Sequence, residues 1–454
     1  MLGIKNSDVA IDNCRQEKTD DHDDFHPDPD NDKSPHGILD ADSSHLLPTA
    51  LYPPDKGFRA YMCIFGAFWG IFASFGYVLV IGMFEEYYQS HQLKTYSASQ
   101  ISWISSLQTF CIVFFGVIVG RAYDIFGAKP IMIPGTFLMV VGIMTTSICT
   151  QYYQFVLSQG LCTSIGAAMV FNPCIASVST WFIRRRALAL GVTNSGACLG
   201  GIVVPILFRT IELKAGFGWG VRSLGFLMLF FSVVACCTVS SRYAPPGRQP
   251  IRFTHTYVRP FKNKTFATLC LSIFLLYWGY YIPVNYMSTN AKANGFSSTL
   301  AMYLTSVFNA GSLVSRIGFA FLADSLGRTN VFIVSLLATA ILTAALWIPA
   351  TSHAAIIAHA ALFGVTSGIG VTVWQPLVAE ISPPDEAGAR LGIVSACLAF
   401  AALFCMPVGG AIISLSGGEY WQCGLFAALM LCAGAVVALA ARQMITGGKW
   451  LVKR

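Results

Sequence analysis

Apolar and polar positions alternate along this chain on the scale of whole bilayer crossings. Residues 1–50 are polar and rich in Asp, His, Pro and Ser. Twelve apolar runs follow, near residues 60–84, 100–120, 131–150, 154–180, 187–208 and 222–240, then 265–288, 298–323, 330–350, 354–379, 390–415 and 421–441. Each is long enough to cross a ~30 Å hydrocarbon layer as a helix, the one open structure that satisfies its backbone groups internally there. The pattern predicts an all-α membrane protein of twelve transmembrane helices in two sets of six.

One run holds a charge far from its ends. Thr299–Ala323 contains a single ionisable side chain, Arg316. At ~1.5 Å per residue, Arg316 lies about 12 Å inside Asp324, where the run ends, so it sits near the middle of the layer. A cation there costs roughly 3 kcal/mol or more unless it faces protein, water or an anion. Thr305, Asn309, Ser312 and Arg316 follow at spacings of four, three and four, which puts them on one stripe of the helix. The stripe reads as a cavity wall with a positive charge set into it. The alternative is a structural Arg bonded to carbonyls of neighbouring helices. No carboxylate falls at this depth, since Glu85, Glu86, Glu212 and Glu380 all lie at or near the ends of runs.

Composition agrees with the class. The 454 residues are 55% hydrophobic and 11% charged, against about 25% charged in soluble domains. Residues 1–55 hold 13 of the 22 acids and 4 of the 29 Lys and Arg, leaving 9 acids against 25 bases in the rest. The basic balance therefore belongs to a membrane body and says nothing of nucleic acid. Residues 1–55 read as a disordered acidic cytoplasmic tail with no signal peptide. Its His22, His26 and His36 read as solvated, not metal-binding. The 14 Cys show no metal spacing and read as small buried thiols. No metal or other cofactor is expected.

With both termini inside, 19 Lys and Arg near the runs fall on the cytoplasmic side and five outside. This asymmetry predicts cytoplasmic N- and C-termini. The domains follow: an N-terminal six-helix half at 56–240, a basic linker at 241–264, a C-terminal half at 265–442 and a short tail at 443–454. The linker carries Arg242, Arg248, Arg252, Arg259, Lys262 and Lys264 with no acid.

The halves echo one another after their second runs. Gly120–Lys129 contains Arg121, Asp124, Gly127 and Lys129, and Gly318–Arg328 contains Asp324, Gly327 and Arg328. In both, an Asp closes a helix, a Gly follows three residues later, and a base follows within two more. Asp124 and Asp324 can bond orphan groups at helix ends or bases on a neighbour, locking one state. Such duplication suits an alternating-access carrier.

These features together resemble the major facilitator superfamily. More narrowly, Asp55–Tyr61 and Trp181–Gly191, with Phe171-Asn172-Pro173 before the latter, resemble two motifs of its monocarboxylate-porter branch and of that branch's fungal relatives. The resemblance implies the major facilitator fold and a carrier cycle, with Arg185 and Arg186 beside Asp124, Arg121, Asp324 and Arg328 as state-locking residues. In the animal carriers of the branch, an Arg lies eight residues before the loop Asp, as Arg316 does before Asp324. Their Asp four residues before that Arg is here Ser312, and their Lys late in the first span has no counterpart in Ser74–Phe84. The Arg suited to an anion is kept, while two groups tied to proton coupling are not.

Around Arg316, the substrate-binding candidates are Ser312, Asn309 and Thr305, with Asn172, Tyr281, Asn285 and Trp374 from other runs. Aromatics with polar tips suit a ring-bearing substrate and also populate membrane interfaces. Asn172-Pro173 breaks the ladder of its helix and reads either as a packing kink or as a gate. His359 reads as a hydrogen-bonded core residue or as a proton relay. No nucleophile–base–acid set, Walker loop or nucleotide fingerprint suggests an enzyme. The expected partners are a small-molecule substrate, the lipid bilayer and a coupling ion, with the proton unassigned. The resemblance implies a secondary transporter of a small organic anion or carboxylated metabolite. The alternatives are an efflux carrier for a secondary metabolite and a non-transporting nutrient receptor. The expected location is the plasma membrane, with the vacuolar or another internal membrane as the other choice.

Overall fold

The apolar runs fold as helices, with caps where polar residues interrupt them. The computed structural model describes residues 55–242, 257–350, 352–383 and 386–448. The expected acidic tail, most of the basic linker and the last residues of the C-terminal tail lie outside these. The described residues belong to one compact unit. The helices are α1 (Phe58–Val78), α2 (Ile81–Ser90), α3 (Ala98–Phe114), α4 (Gly116–Phe126), α5 (Lys129–Thr146), α6 (Tyr152–Phe155), α7 (Ser164–Trp181) and α8 (Arg186–Thr238), followed by α9 (Lys264–Ala293), α10 (Ser298–Leu326), α11 (Arg328–Leu342), α12 (His353–Glu380), α13 (Ala387–Leu415) and α14 (Trp421–Thr446). Wide π turns at Val156–Thr163 and Thr343–Trp347 join α6 to α7 and extend α11.

Their starts are chemically marked. Ser97 and Gln100 cap α3 reciprocally, and the side chains of Asn263, Ser297 and Ser352 accept first-turn N–H groups of α9, α10 and α12. Each such cap stabilises a helix by about 1 kcal/mol. Gly127 (φ 79°) and Gly327 (φ 100°) end α4 and α10 in a conformation that favours glycine.

Eleven helical stretches among the described residues are long and apolar enough to cross a membrane. The sequence predicts twelve, and the difference lies in α8. The two expected runs are two helices joined across a sharp kink at Gly216 (φ 82°, ψ 172°), and they take in most of residues 209–221, expected as a loop, so that α8 is counted as one stretch. Arg209 pairs with Glu212 at 3.0 Å within that segment, a spacing that favours helix over loop.

Helix pairs meet through small residues, since lipid gives apolar side chains no reason to leave it. Gly76 of α1 and Gly200 of α8 lie face to face, and a Cβ on Gly200 would come within 2.6 Å of the Gly76 Cα. Two further contacts join α8 to α10: Gly191 lies against the carbonyl of Arg316 and the side chain of Ala320, and Gly201 lies against the carboxamide of Asn309. Since residue numbers rise along α8 as they fall along α10, the two helices run antiparallel past Arg316.

Candidate functional site

Arg316 is buried, with 5% of its surface exposed, on the side of α10 that faces α8. Its Nε donates to Ser312 Oγ at 3.1 Å and its Nη1 donates to the backbone carbonyl of Asn194 in α8 at 3.0 Å. The hydroxyl of Tyr280 in α9 is placed to accept from it as well. No carboxylate pairs with Arg316 among the described residues. The bond to a helix carbonyl is the one the structural reading of Arg316 expects. Ser312 supplies a neutral acceptor.

The rest of the stripe is present in order. Asn309 is 1% exposed; its Nδ2 donates to Thr305 O at 2.9 Å, and its Oδ1 is enclosed with no donor. Thr305 is half-buried, with its hydroxyl 3.5 Å from that of Ser288 in α9.

A chain of amides leads from Arg316 to a cavity. Asn194 Nδ2 donates to Leu190 O at 2.9 Å and to Gln375 Oε1 of α12 at 2.8 Å. Gln375 lines a cavity of about 20 Å3 together with Asn172, Trp374 and Ser395. This is room for a water, not a metabolite, so the site is closed. The glycines of α4 help make the space. A Cβ on Gly116 would come within 3.0 Å of Asn172 Oδ1 and 3.3 Å of Ser395 Cβ. Gly116 precedes Asp124 by eight residues, as Arg316 precedes Asp324. One repeat therefore places a cation at this position and the other leaves it without a side chain.

The remaining candidates divide. Trp374 Nε1 donates to the Tyr277 hydroxyl at 3.0 Å, and Tyr281 is half-buried with its ring 5.4 Å from that of Tyr277. Asn285 is not gathered with them. It is exposed, one turn beyond Tyr281, and its side chain reaches Cys405 in α13. Glu85 also differs from expectation. Although near the end of its run, it has an enclosed Oε1 with no partner, because α2 packs it between α3 and α9, beside Ser105 and Tyr286. His359 Nε2 is likewise enclosed without a partner, against Trp347 and Phe363.

The helices close over this site at both ends. At one end, Asp324 accepts from the N–H groups of Ala187 (3.2 Å) and Leu188 (3.0 Å), in the first turn of α8. Arg328 donates to Asp324 (3.0 Å), to Glu380 (3.1 Å) and to the carbonyl of Ile183 (2.8 Å). Asp55 accepts from the N–H groups of Ile183 and Arg184, holding the same loop from its other side. Asp124 rests against Gly388 in the first turn of α13, so each repeat sets its Asp on a helix start of the other. Arg186 donates to the carbonyls of Phe182 and Ser179, capping α7. Arg185 is exposed and joins none of these bonds, and Arg121 is half-buried with its Nε enclosed and unpartnered. The opposite end is lightly held: Glu86 of α2 meets Lys292 of α9 at 2.8 Å, with both side chains partly exposed.

Sequence reasoning missed Asn194, Glu86 and Lys292 as contributors. Asn194 carries a legible signal, a carboxamide among small residues of an apolar run, but its partners come only with the packing of α8 on α10 and α12.

Comparison with known proteins places this architecture. Residues 60–270 and 269–446 both match the sequence profile of the Major Facilitator Superfamily. The MFS transporter asaE of Aspergillus flavus is 43% identical over 402 residues, covering 88% of this chain and 90% of that protein. The fujikurins efflux protein of Gibberella fujikuroi is 38% identical over 396 residues, covering 87% of this chain and 84% of that protein. Among solved structures, the proton:xylose symporter XylE superposes with a TM-score of 0.69 at 14% identity, over 86% of this chain and 96% of that one, a likeness of fold. On the profile and these relatives together, this chain belongs to the major facilitator superfamily, a family of multi-pass membrane transporters.

Proposed function

We propose that the protein is a secondary transporter that exports a small organic anion or carboxylated metabolite by alternating access. The observation that carries this reading is Arg316, a buried cation between the helices before and after the linker, paired with neutral acceptors alone. Neutral partners satisfy its geometry but leave its charge, and an arriving carboxylate supplies the missing anion. Asn309 Oδ1, enclosed without a donor two turns away, asks for a hydroxyl or N–H on the same ligand. Export is favoured over uptake by the relative named as an efflux protein. The monocarboxylate-like branch is supported by the Trp181–Gly191 motif and the Arg316–Asp324 spacing. A receptor role is the weaker reading, since the relatives this chain resembles are named as a transporter and an efflux protein. Comparing metabolites in cells and medium between a wild-type and a deletion strain tests the proposal. The expected result is an acidic compound retained in the deletion cells and depleted from their medium; a neutral or cationic compound would overturn the anion assignment.

In this reading the 53-residue α8 makes two crossings. At ~1.5 Å per residue it would extend about 80 Å, far beyond one hydrocarbon layer, and Gly216 gives it a place to turn. Twelve crossings then leave both termini cytoplasmic, with the Asp124/Asp324 end inside. Single Cys tags in the 241–264 linker should therefore be labelled by an impermeant maleimide only after the membrane is permeabilised. Labelling in intact cells would refute this topology.

A further inference from the structure

We infer that Asn194 is a positioning residue that clasps the unloaded carrier shut around Arg316 and must let go for substrate to enter. The clasp rests on reading Arg316 as the substrate's partner, but its bonds are visible without any ligand. Asn194 lies midway along the α8–α10 seam, between Gly191 against Arg316 and Gly201 against Asn309. From this one residue two bonds leave α8 in different directions, one to α10 and one to α12. The backbone carbonyl takes Arg316 Nη1 of α10 at 3.0 Å, and the side-chain amide gives a proton to Gln375 Oε1 of α12 at 2.8 Å. The other amide proton is committed to Leu190 O, which fixes the carboxamide's direction toward Gln375.

The consequence is an exchange of partners. In the closed carrier the Asn194 carbonyl occupies a donor of Arg316 that a carboxylate would take, and the Asn194 side chain holds Gln375, which lines the cavity with Asn172 and Ser395. A neutral carbonyl holds a guanidinium more weakly than a carboxylate does, so the clasp is strong enough to position Arg316 and weak enough to yield it. Separation of α8 from α10 and α12, which pack against each other, breaks both bonds, so cavity opening and release of Arg316 are a single event. Neither bond contributes an ion pair, and nothing is left charged and unpaired within Asn194 itself when they break.

The test reads cavity opening without substrate. A reporter Cys at Ser395, 9% exposed on the cavity wall, is labelled with N-ethylmaleimide in the full-length reconstituted protein, and its peptide is quantified by mass spectrometry. Asn194→Leu and Gln375→Met each remove the same amide bond at similar volume. Each should speed labelling about five- to tenfold, and the double variant should be no faster than either single one, because only one bond is lost. Unchanged rates in both, or effects that multiply in the double variant, would overturn the clasp. Should one variant fail to fold, the other breaks the bond from the opposite helix. Arg316→Met should also speed labelling by removing the second bond, and no change there would overturn the carbonyl's part. A neutral substrate would defeat the anion reading while leaving every one of these rates as expected.

Discussion

Arg316→Ala is expected to lower transport of the proposed anionic substrate at least a hundredfold at matched membrane abundance. A forked, charge-assisted pair with a carboxylate in a water-poor cavity is worth about 3 kcal/mol, and the variant leaves the substrate's charge with no counter-charge at that depth. Arg316→Lys retains the charge but loses the fork, so it cannot serve Ser312, Asn194 and a carboxylate together, and weak transport should persist. Folding should suffer little. Removing a buried charge is severely destabilising when it strands its partner ion, and here no carboxylate is stranded. The Ser312 hydroxyl can turn to its own helix, and the Asn194 carbonyl remains in the α8 ladder. The measurement is export of the metabolite identified in the deletion strain, alongside thermal unfolding of the purified variants. Undiminished transport by Arg316→Ala would make the Arg structural and release the substrate from being an anion.

How far the sequence reached depends on whether a feature is carried by one helix or by a pair. The stripe Thr305, Asn309, Ser312 and Arg316 is fixed by the period of a single helix, and the structure places all four on one side of α10 as expected. The terminal positions of Asp124 and Asp324 are equally local, since the following glycines stop both helices. Helix pairing decides the rest. The acceptor for Arg316 is a backbone carbonyl, and every residue has one, so no side chain announces it. Asn285 shares a helix face with Tyr281, but one turn further along α9 the neighbours end and it emerges. Glu85 is near a run's end by hydropathy, yet α2 extends past it and encloses it against α9. The break within α8 falls where the runs predict it, but it is confined to Gly216 instead of a loop over 209–221. A short polar stretch with an Arg and a Glu three apart suits a helix as well as a loop, and only Gly216 marks the turn.

Asp324→Ala should slow the carrier's cycle about tenfold or more while changing the half-saturating substrate concentration by less than about twofold. The side chain holds shut one end of the molecule through groups that exist only when α10 meets α8. It satisfies two first-turn N–H groups of α8, where an anion is also favoured by the helix dipole, and it anchors Arg328, which reaches on to Glu380 and the Ile183 carbonyl. Loss of a comparable cap costs about 1–2 kcal/mol, and the pair with Arg328 is largely shielded from water, with side-chain exposures of 13% and 9%. The Glu86–Lys292 pair at the other end is half-open to solvent and worth less than about 1 kcal/mol. Removing Asp324 therefore reverses the balance between the ends and favours the state open on its own side, so a step that must close that end becomes limiting. Substrate affinity is spared because Asp324 lies eight residues, about 12 Å, from Arg316 along α10. Asp324→Asn keeps an acceptor for one N–H but not the charge, and should fall between wild type and Ala. Transport rate against substrate concentration decides the matter, read with impermeant labelling of the Ser395→Cys reporter from each side. A variant whose affinity collapses while its maximal rate holds would show that Asp324 shapes the binding site and does not govern closure.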